Sequence, residues 1–379
     1  MEGNATLFEN VSNDVIANEV KNMLQENYDI VVKTMKRLDG YDDLNFQIIP
    51  LIEKTSNVNN HTQVCVHGYV LKIFSWENST NIEFISEYIN LLLHLREHDI
   101  KSPYPIQNNK AEYKTYWRKK DVTSANEGLD PSALQSLERI HVVLLLEYIP
   151  GKLLNDVSFG KKFCFSLGQI IGRLHHAMKP FSNSKVLQRP HFVWSLKYVT
   201  DTLKYTKFVE EEVKRSMVTK AIVDFQNEVL PHMNELEQGI IHGDLNKANL
   251  VIFERSAGSE PELYGIIDFS DISHSCYLFD LAITILYLSM DQPDNIESFT
   301  ASVLSGYSRK MSDLELNLMK TCICARIAQS LILGLYAYHS CPSNTYVLTT
   351  QKQGWPLLEK LQNQTNESFI ANITEKITF

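Results

Sequence analysis

Residues 239–271, GIIHGDLNKANLVIFERSAGSEPELYGIIDFSD, constrain the fold more than any other part of the chain. They carry His242-Gly243-Asp244 and then Asn249, five residues after Asp244. Two β-rich runs follow, Leu250–Phe253 and Tyr264–Phe269, on either side of the polar turn Arg255–Pro261, a pattern that reads as a hairpin. A hairpin brings the chain back to where it started. The loop before its first strand then lies beside Asp268, at the end of the second, so Asp244, Asn249 and Asp268 are expected to converge.

That trio suits phosphoryl transfer. Asp244 would orient, or take the proton of, an attacking hydroxyl. Asn249 and Asp268 offer oxygens to Mg²⁺, which favours carboxylate and carbonyl ligands alongside phosphate and water. The same residue types also cap turns and strands throughout proteins. It is the combination of HxDxxxxN, a following hairpin and a terminal Asp-Phe that points to catalysis and matches the kinase signature set.

The preceding residues supply partners for a nucleotide. Residues 64–74 have strand character, and Lys72 within YVLKIF is placed to neutralise phosphates. Ile82, Ile85, Ile89 and Leu92 recur at helical spacing over Ile82–Leu95. That helix brings Glu87 as a partner for Lys72, with Glu83 a competitor one turn earlier. The stretch Asp39–Phe46 holds one glycine and no GxGxxG, but its backbone amides and Asn45 can still cover phosphates. Acidic residues suit such a loop poorly, so one of Asp42 and Asp43 is expected to face the substrate or a helix end. Glu147-Tyr148-Ile149 closes the apolar run Ile140–Ile149, and by position the backbone of Glu147 and Ile149 would bond a nucleotide base.

Pro150-Gly151 punctuates the chain at that point. Before it the sequence is strand-rich with one long helix. The polar stretch from Gln107 to Glu138, with basic Lys114, Arg118, Lys119 and Lys120, reads as an elaborated loop or hairpin. After it, Phe163, Leu167, Ile170, Ile171, Leu174 and Met178 line one helix face, and helical segments run to about Leu236. The expected architecture is α+β and bilobal: a segment 1–25, a small β-rich lobe 26–148 and a larger, mostly helical lobe 149–379.

Composition removes other classes. With 44% hydrophobic and 21% charged residues the chain is no disordered scaffold, and a net charge of −9 disfavours nucleic acid as a partner. Six cysteines without a CxxC give no support for a zinc ribbon. The apolar runs Ile272–Met290 and Thr321–Tyr338 are interrupted by His274 and Asp280 and by Arg326, so they read as buried helices with no role in a membrane. Met1–Asn18 has neither a basic nor an apolar stretch, and a cytoplasmic location is expected.

HGDLNKAN followed by IDFSD resembles the aminoglycoside phosphotransferase family, small-molecule kinases of protein-kinase-like fold that include choline and homoserine kinases. Residues 166–175, SLGQIIGRLH, and Phe279-Asp280-Leu281-Ala282 resemble other segments of that family, over about Leu38–Tyr338. Protein kinases usually have Arg where Gly243 stands and Lys where Asn246 stands. Ser270 replaces the Gly of D-F-G and no A-P-E follows, which argues against a protein substrate.

Further stretches resemble the hydroxylysine kinase branch of the family. They are Tyr41-Asp42-Asp43-x-Asn45-Phe46, Phe192-x-Trp194-x-Leu196, Gly265–Asp271 through Ala282–Ile285, Cys324-x-Arg326-x-x-Gln329-Ser330-Leu331 and Gly354-Trp355. Asp280 departs from that branch, which tends to have Glu there. The resemblance implies 5-hydroxy-L-lysine as acceptor and GTP rather than ATP as donor. Such an acceptor has two ammonium groups and a carboxylate. Asp271 and Asp280 are candidate acids for the amines, and Arg326 is a candidate carboxylate clamp unless it pairs with Asp280. Trp194 either shapes the pocket or sits in the core. Other acceptors stay open: choline, whose cage would draw on Trp194, Tyr277 and Tyr287, or ethanolamine, homoserine or an aminoglycoside. So does an inactive nucleotide-binding module, and the sequence fixes neither a monomer nor a dimer.

Overall fold

The computed structural model describes residues 13–38, 40, 43–51, 65–121, 137–256 and 259–377. Its contacts divide the chain into two compact units. Unit 1 takes the chain up to Leu93 together with Pro103–Ile149, and unit 2 takes His94–Ser102 together with Pro150–Phe379.

In unit 1, helix α1 (Asn13–Tyr28) accompanies an antiparallel sheet. The strands are β1 (Val32–Leu38), β2 (Leu44–Pro50), β3 (Tyr69–Ile73), β4 (Pro105–Ile106), β5 (Lys114–Asp121) and β6 (Leu137–Glu147). Among the described residues the sheet order is β1-β2-β3-β6-β4, with β5 also paired to β6. Leu44, Phe46, Ile48 and Pro50 alternate inward along β2, as a strand with one buried face requires. β5 and β6 are the two arms of the hairpin expected around Gln107–Glu138. The strand expected over 64–74 is shorter, because Cys65–Gly68 form a turn with Gly68 at φ +86°. Helices α2 (Trp76–Thr80) and α3 (Ile82–Glu97) follow β3.

α1 corrects the expectation of a separate segment 1–25. Ile16, Val20, Met23 and Leu24 form a helical stripe buried in one core with Leu71, Ile73, Val143 and Leu145 of the sheet.

Unit 2 is mostly helical. Its helices are α4 (Lys161–Met178), α5 (Glu212–Glu228), α6 (Tyr277–Ser289), α7 (Ile296–Gly306), α8 (Asp313–Ser340), α9 (Gln351–Asn363) and α10 (Asn366–Thr374). Leu196–Phe208, expected as ordinary helix, is a 3₁₀ stretch kinked at Tyr198. α4 and α7 meet backbone to backbone: a Cβ on Gly168 would stand 2.1 Å from the Val303 carbonyl oxygen. Short strands complete the unit. β7 (Lys152–Leu153), β9 (Leu250–Phe253) and β10 (Glu262–Ile266) form one sheet, and β8 (Gln238–Ile241) pairs with β11 (Ser273–Cys276).

α8 is long and apolar enough to cross a membrane, but 89% of its apolar window is buried inside the protein. It packs against α5, α6, α9 and the 3₁₀ stretch. Its start is a capping box of Ser312 and Glu315, and Glu315 also receives the Arg309 guanidinium at 2.6 and 2.8 Å. No disulfide links any of the six cysteines. Burial pushes the thiols of Cys164, Cys276 and Cys324 up to about 12.

Candidate active site

In unit 1, Lys72 of β3 is registered opposite Asn45 of β2, so the two side chains share a face. Lys72 Nζ lies 2.8 Å from Asp43 Oδ2, with both side chains buried. Asp43 Oδ1 accepts the Ser75 amide at 2.9 Å and Asn78 Nδ2 at 3.2 Å. One carboxylate thus holds both the lysine and the first turn of α2, the helix end foreseen for an acid of this loop. This corrects the expectation for Glu87, which is half-buried on α3 while Asp43 makes the pair. The β2–β3 register explains the choice, because Asp43 directly precedes the strand that flanks Lys72. Asp42 lies outside the described residues. The Glu147 amide donates to Tyr104 O at 2.8 Å, which leaves Ile149 as the backbone donor of the expected base-binding pair.

In unit 2 the hairpin does what its spacing predicted. Leu250 is registered with Ile266, and the Ile267 amide donates to Asn249 O at 2.9 Å, so Asn249 and Asp268 adjoin the same end of the hairpin. Asp244 has both carboxylate oxygens engaged. Oδ2 accepts Asn246 Nδ2 at 2.7 Å and Asn249 Nδ2 at 3.0 Å, and Oδ1 accepts Arg326 Nη2 at 3.0 Å. Asn249 Nδ2 also donates to the Asp244 carbonyl at 2.8 Å, so its Oδ1 is turned away from both contacts. Asp268 is exposed, in left-handed backbone at φ 59°, and its Oδ1 accepts the Ser270 hydroxyl at 2.8 Å. An amide oxygen and an exposed carboxylate fit a hard divalent cation that takes its other ligands from phosphate and water. Among the described residues no group of three or more His, Cys, Asp or Glu could hold a metal ion alone.

Asp280 is placed differently from expectation. It is fully buried in the first turn of α6. Its Oδ2 accepts the His242 amide at 2.9 Å and His175 Nε2 at 3.0 Å, and its Oδ1 accepts the Gly243 amide at 2.9 Å. Burial works to raise this carboxyl, but the bond and charge from His175, with His242, hold it below the usual range. Asp280 anchors the loop and is not exposed to bind an amine. His175, stacked on Tyr277 at 4.4 Å, is bonded in turn to the Tyr307 hydroxyl at 2.8 Å.

Asp271 lies against the loop that carries Asp244. Gly243, at φ +82°, packs so tightly on it that a Cβ there would be 2.6 Å from the Asp271 carbonyl oxygen. That is a physical reason for Gly where protein kinases carry Arg. Burial first, and then the charge of Asp244, push the Asp271 carboxyl up to about 7, against the pull of Arg189 and Arg326. Arg189 was not singled out from the sequence. Its Nη1 donates to Ser270 O at 2.7 Å and Ile272 O at 3.2 Å, clamping the turn after Asp268.

Arg326 pairs with Asp244, which corrects both its expected partner Asp280 and its expected role as a ready carboxylate clamp. Its Nη1 donates to Trp194 O at 2.9 Å, and its guanidinium stands 5.1 Å from the centroid of the half-buried Trp194 ring.

Residues 49–311 match the model of the phosphotransferase enzyme family, APH. The chain belongs to that family. This small-molecule phosphotransferase is 26% identical to hydroxylysine kinase of Bos taurus over 352 residues, 89% of this chain and 87% of that one. It is 28% identical to hydroxylysine kinase of Xenopus laevis over 368 residues, 94% and 91% of the two chains. The solved structure of an amicoumacin kinase in complex with AMP-PNP, Ca²⁺ and Ami superimposes with a TM-score of 0.61 at 14% identity, covering 92% of this chain and 94% of that one. The phosphotransferase therefore has the α+β, protein-kinase-like fold that its motifs implied.

Proposed function

We propose that this phosphotransferase moves the γ-phosphoryl group of GTP to the hydroxyl of 5-hydroxy-L-lysine. The observation that carries the reaction type is the Asp244–Asn249 pair. The carboxylate is held on both oxygens by N–H donors, and Asn249 keeps its amide oxygen turned away from it. The acceptor is supported by a similarity to hydroxylysine kinases that runs over 89% and 94% of the chain, well beyond the motifs.

In this reading Asp244 accepts the hydrogen bond of the acceptor hydroxyl, aims its oxygen at the γ-phosphorus and takes up its proton. Three N–H donors, one from a guanidinium, hold the Asp244 carboxylate in one orientation, which matters most where the transition state is loose and positioning does most of the catalysis. Asn249 and Asp268 would hold Mg²⁺, which neutralises charge on the phosphates when bound. Lys72, kept in place by Asp43 and beside Asn45, meets phosphate oxygens, and the backbone of Glu147 and Ile149 takes the base. Asp271, packed against Gly243 beside the Asp244 loop, takes an ammonium group of the acceptor in this reading.

The test is purified protein against a panel of amino-alcohols with GTP and with ATP, the products identified by mass. Phosphohydroxylysine formed with GTP is expected. Phosphorylation of choline, ethanolamine or homoserine without hydroxylysine overturns the acceptor, and a clear preference for ATP overturns the donor.

A further inference from the structure

Arg326 is 1% exposed in the middle of α8, yet its carboxylate partner Asp244 is a partly exposed reacting group. A guanidinium kept only for stability would be expected against a carboxylate as deeply buried as itself, since a buried charge needs a compensated partner. Arg326 instead spans two places. Nη2 reaches Asp244 Oδ1 at 3.0 Å, while Nη1 reaches Trp194 O at 2.9 Å and Gln329 Oε1 at 3.1 Å.

Gln329, nearly one turn further along α8, donates to Val193 O at 2.8 Å and to Ser195 O at 3.5 Å. Three successive carbonyls, 193 to 195, are thus tied to α8, and the same planar fork holds the carboxylate that faces the acceptor. The Trp194 and Tyr287 rings lie 5.1 and 6.0 Å from the guanidinium and limit its movement. Nε, buried, makes no hydrogen bond. Nη1 has two acceptors inside the protein and Nη2 is paired with Asp244, so the Nη1–Nη2 edge is not open to a substrate carboxylate.

We infer that Arg326, held by Gln329 and the Trp194 carbonyl, is a positioning residue that fixes the Asp244 carboxylate for attack, so that its orientation depends on the segment 193–195. The inference rests on the reaction type proposed above, not on the identity of the acceptor. A rigid fork transmits small displacements of the Trp194 carbonyl to Asp244 Oδ1, and misplacement of a reacting group by about 1 Å costs about 10²-fold in rate.

Gln329→Leu and Arg326→Lys are assayed with whichever acceptor the panel identifies. In both, kcat should fall by about 10- to 100-fold, while the KM values of acceptor and nucleotide stay within about threefold of wild type. Added guanidinium ion should restore part of the turnover of Arg326→Ala. A raised acceptor KM with unchanged kcat, or wild-type kcat in Arg326→Lys, overturns the inference. If Arg326→Ala does not fold, the other two variants decide. A further measurement needs no acceptor: the Arg326 Nε–H resonance, assigned with Arg326→Lys, should shift in Asp244→Asn. An unmoved resonance overturns the pairing whether or not hydroxylysine is the substrate.

Discussion

The two oxygens of Asp280 each accept a backbone amide, Oδ2 from His242 and Oδ1 from Gly243. The first turn of α6 thereby sets the path of the chain immediately before Asp244. Asp280→Asn keeps the shape but leaves a single acceptor oxygen and turns an NH₂ group toward an N–H donor. A loss of about 1–3 kcal/mol is expected, read as a lower thermal midpoint together with a lower kcat. A variant with both values unchanged would show that the loop does not depend on this carboxylate.

Asp244→Asn should separate binding from chemistry. Nucleotide should still raise the thermal midpoint, because Lys72, Asn249 and Asp268 are untouched, while turnover drops by at least about 10²-fold. Near-normal turnover would remove Asp244 from the reaction.

The lysine offers a direct comparison of two carboxylates. Asp43 contacts Lys72, Ser75 and Asn78, so Asp43→Asn should raise the nucleotide KM by about tenfold, the loss of one charge-assisted contact worth about 1.5 kcal/mol. Glu87→Gln should leave that KM close to wild type. The opposite ranking, read from initial rates against nucleotide concentration, would return Glu87 to the site.

The start of α8 sets an acid dependence. Burial works to raise the Glu315 carboxyl, but the bonds from Arg309 and Ser312 outweigh it and hold the group below its ordinary value. A depressed carboxyl contributes stability that is complete above the unfolded pKa and is lost as pH falls through the folded one. Glu315→Gln should therefore be less stable than wild type at neutral pH by about 1–3 kcal/mol, with the gap closing at and below about pH 4. Equal midpoints at neutral pH would show that the cap carries no weight.

The hairpin and its three polar residues were readable because they depend on short-range spacing: strand, turn and strand fix which ends meet. Helix α4 was readable from its apolar stripe. Partner choice was not. Asp43 and Glu87 are both plausible acids for Lys72 in one dimension, and only the β2–β3 register puts the former beside it. Arg326 stood out as a charge within an apolar helix, but its target lies 82 residues away and is set by how α8 packs. Asp280 was recognised as an acid near the site, though its burial depends on a helix start that the apolar run from Ile272 conceals. The 3₁₀ stretch Leu196–Phe208 also escaped, since its composition does not differ from that of an ordinary helix.

The cysteines turn the molecule into its own reporter. Cys164, Cys276, Cys322, Cys324 and Cys341 are buried in unit 2, while Cys65 in unit 1 is half-buried. A thiol shut away from solvent reacts with an alkylating reagent only while its surroundings are open. The mass increments gained at these five sites during a pulse of labelling therefore count openings of unit 2, while Cys65, already partly exposed, sets the baseline.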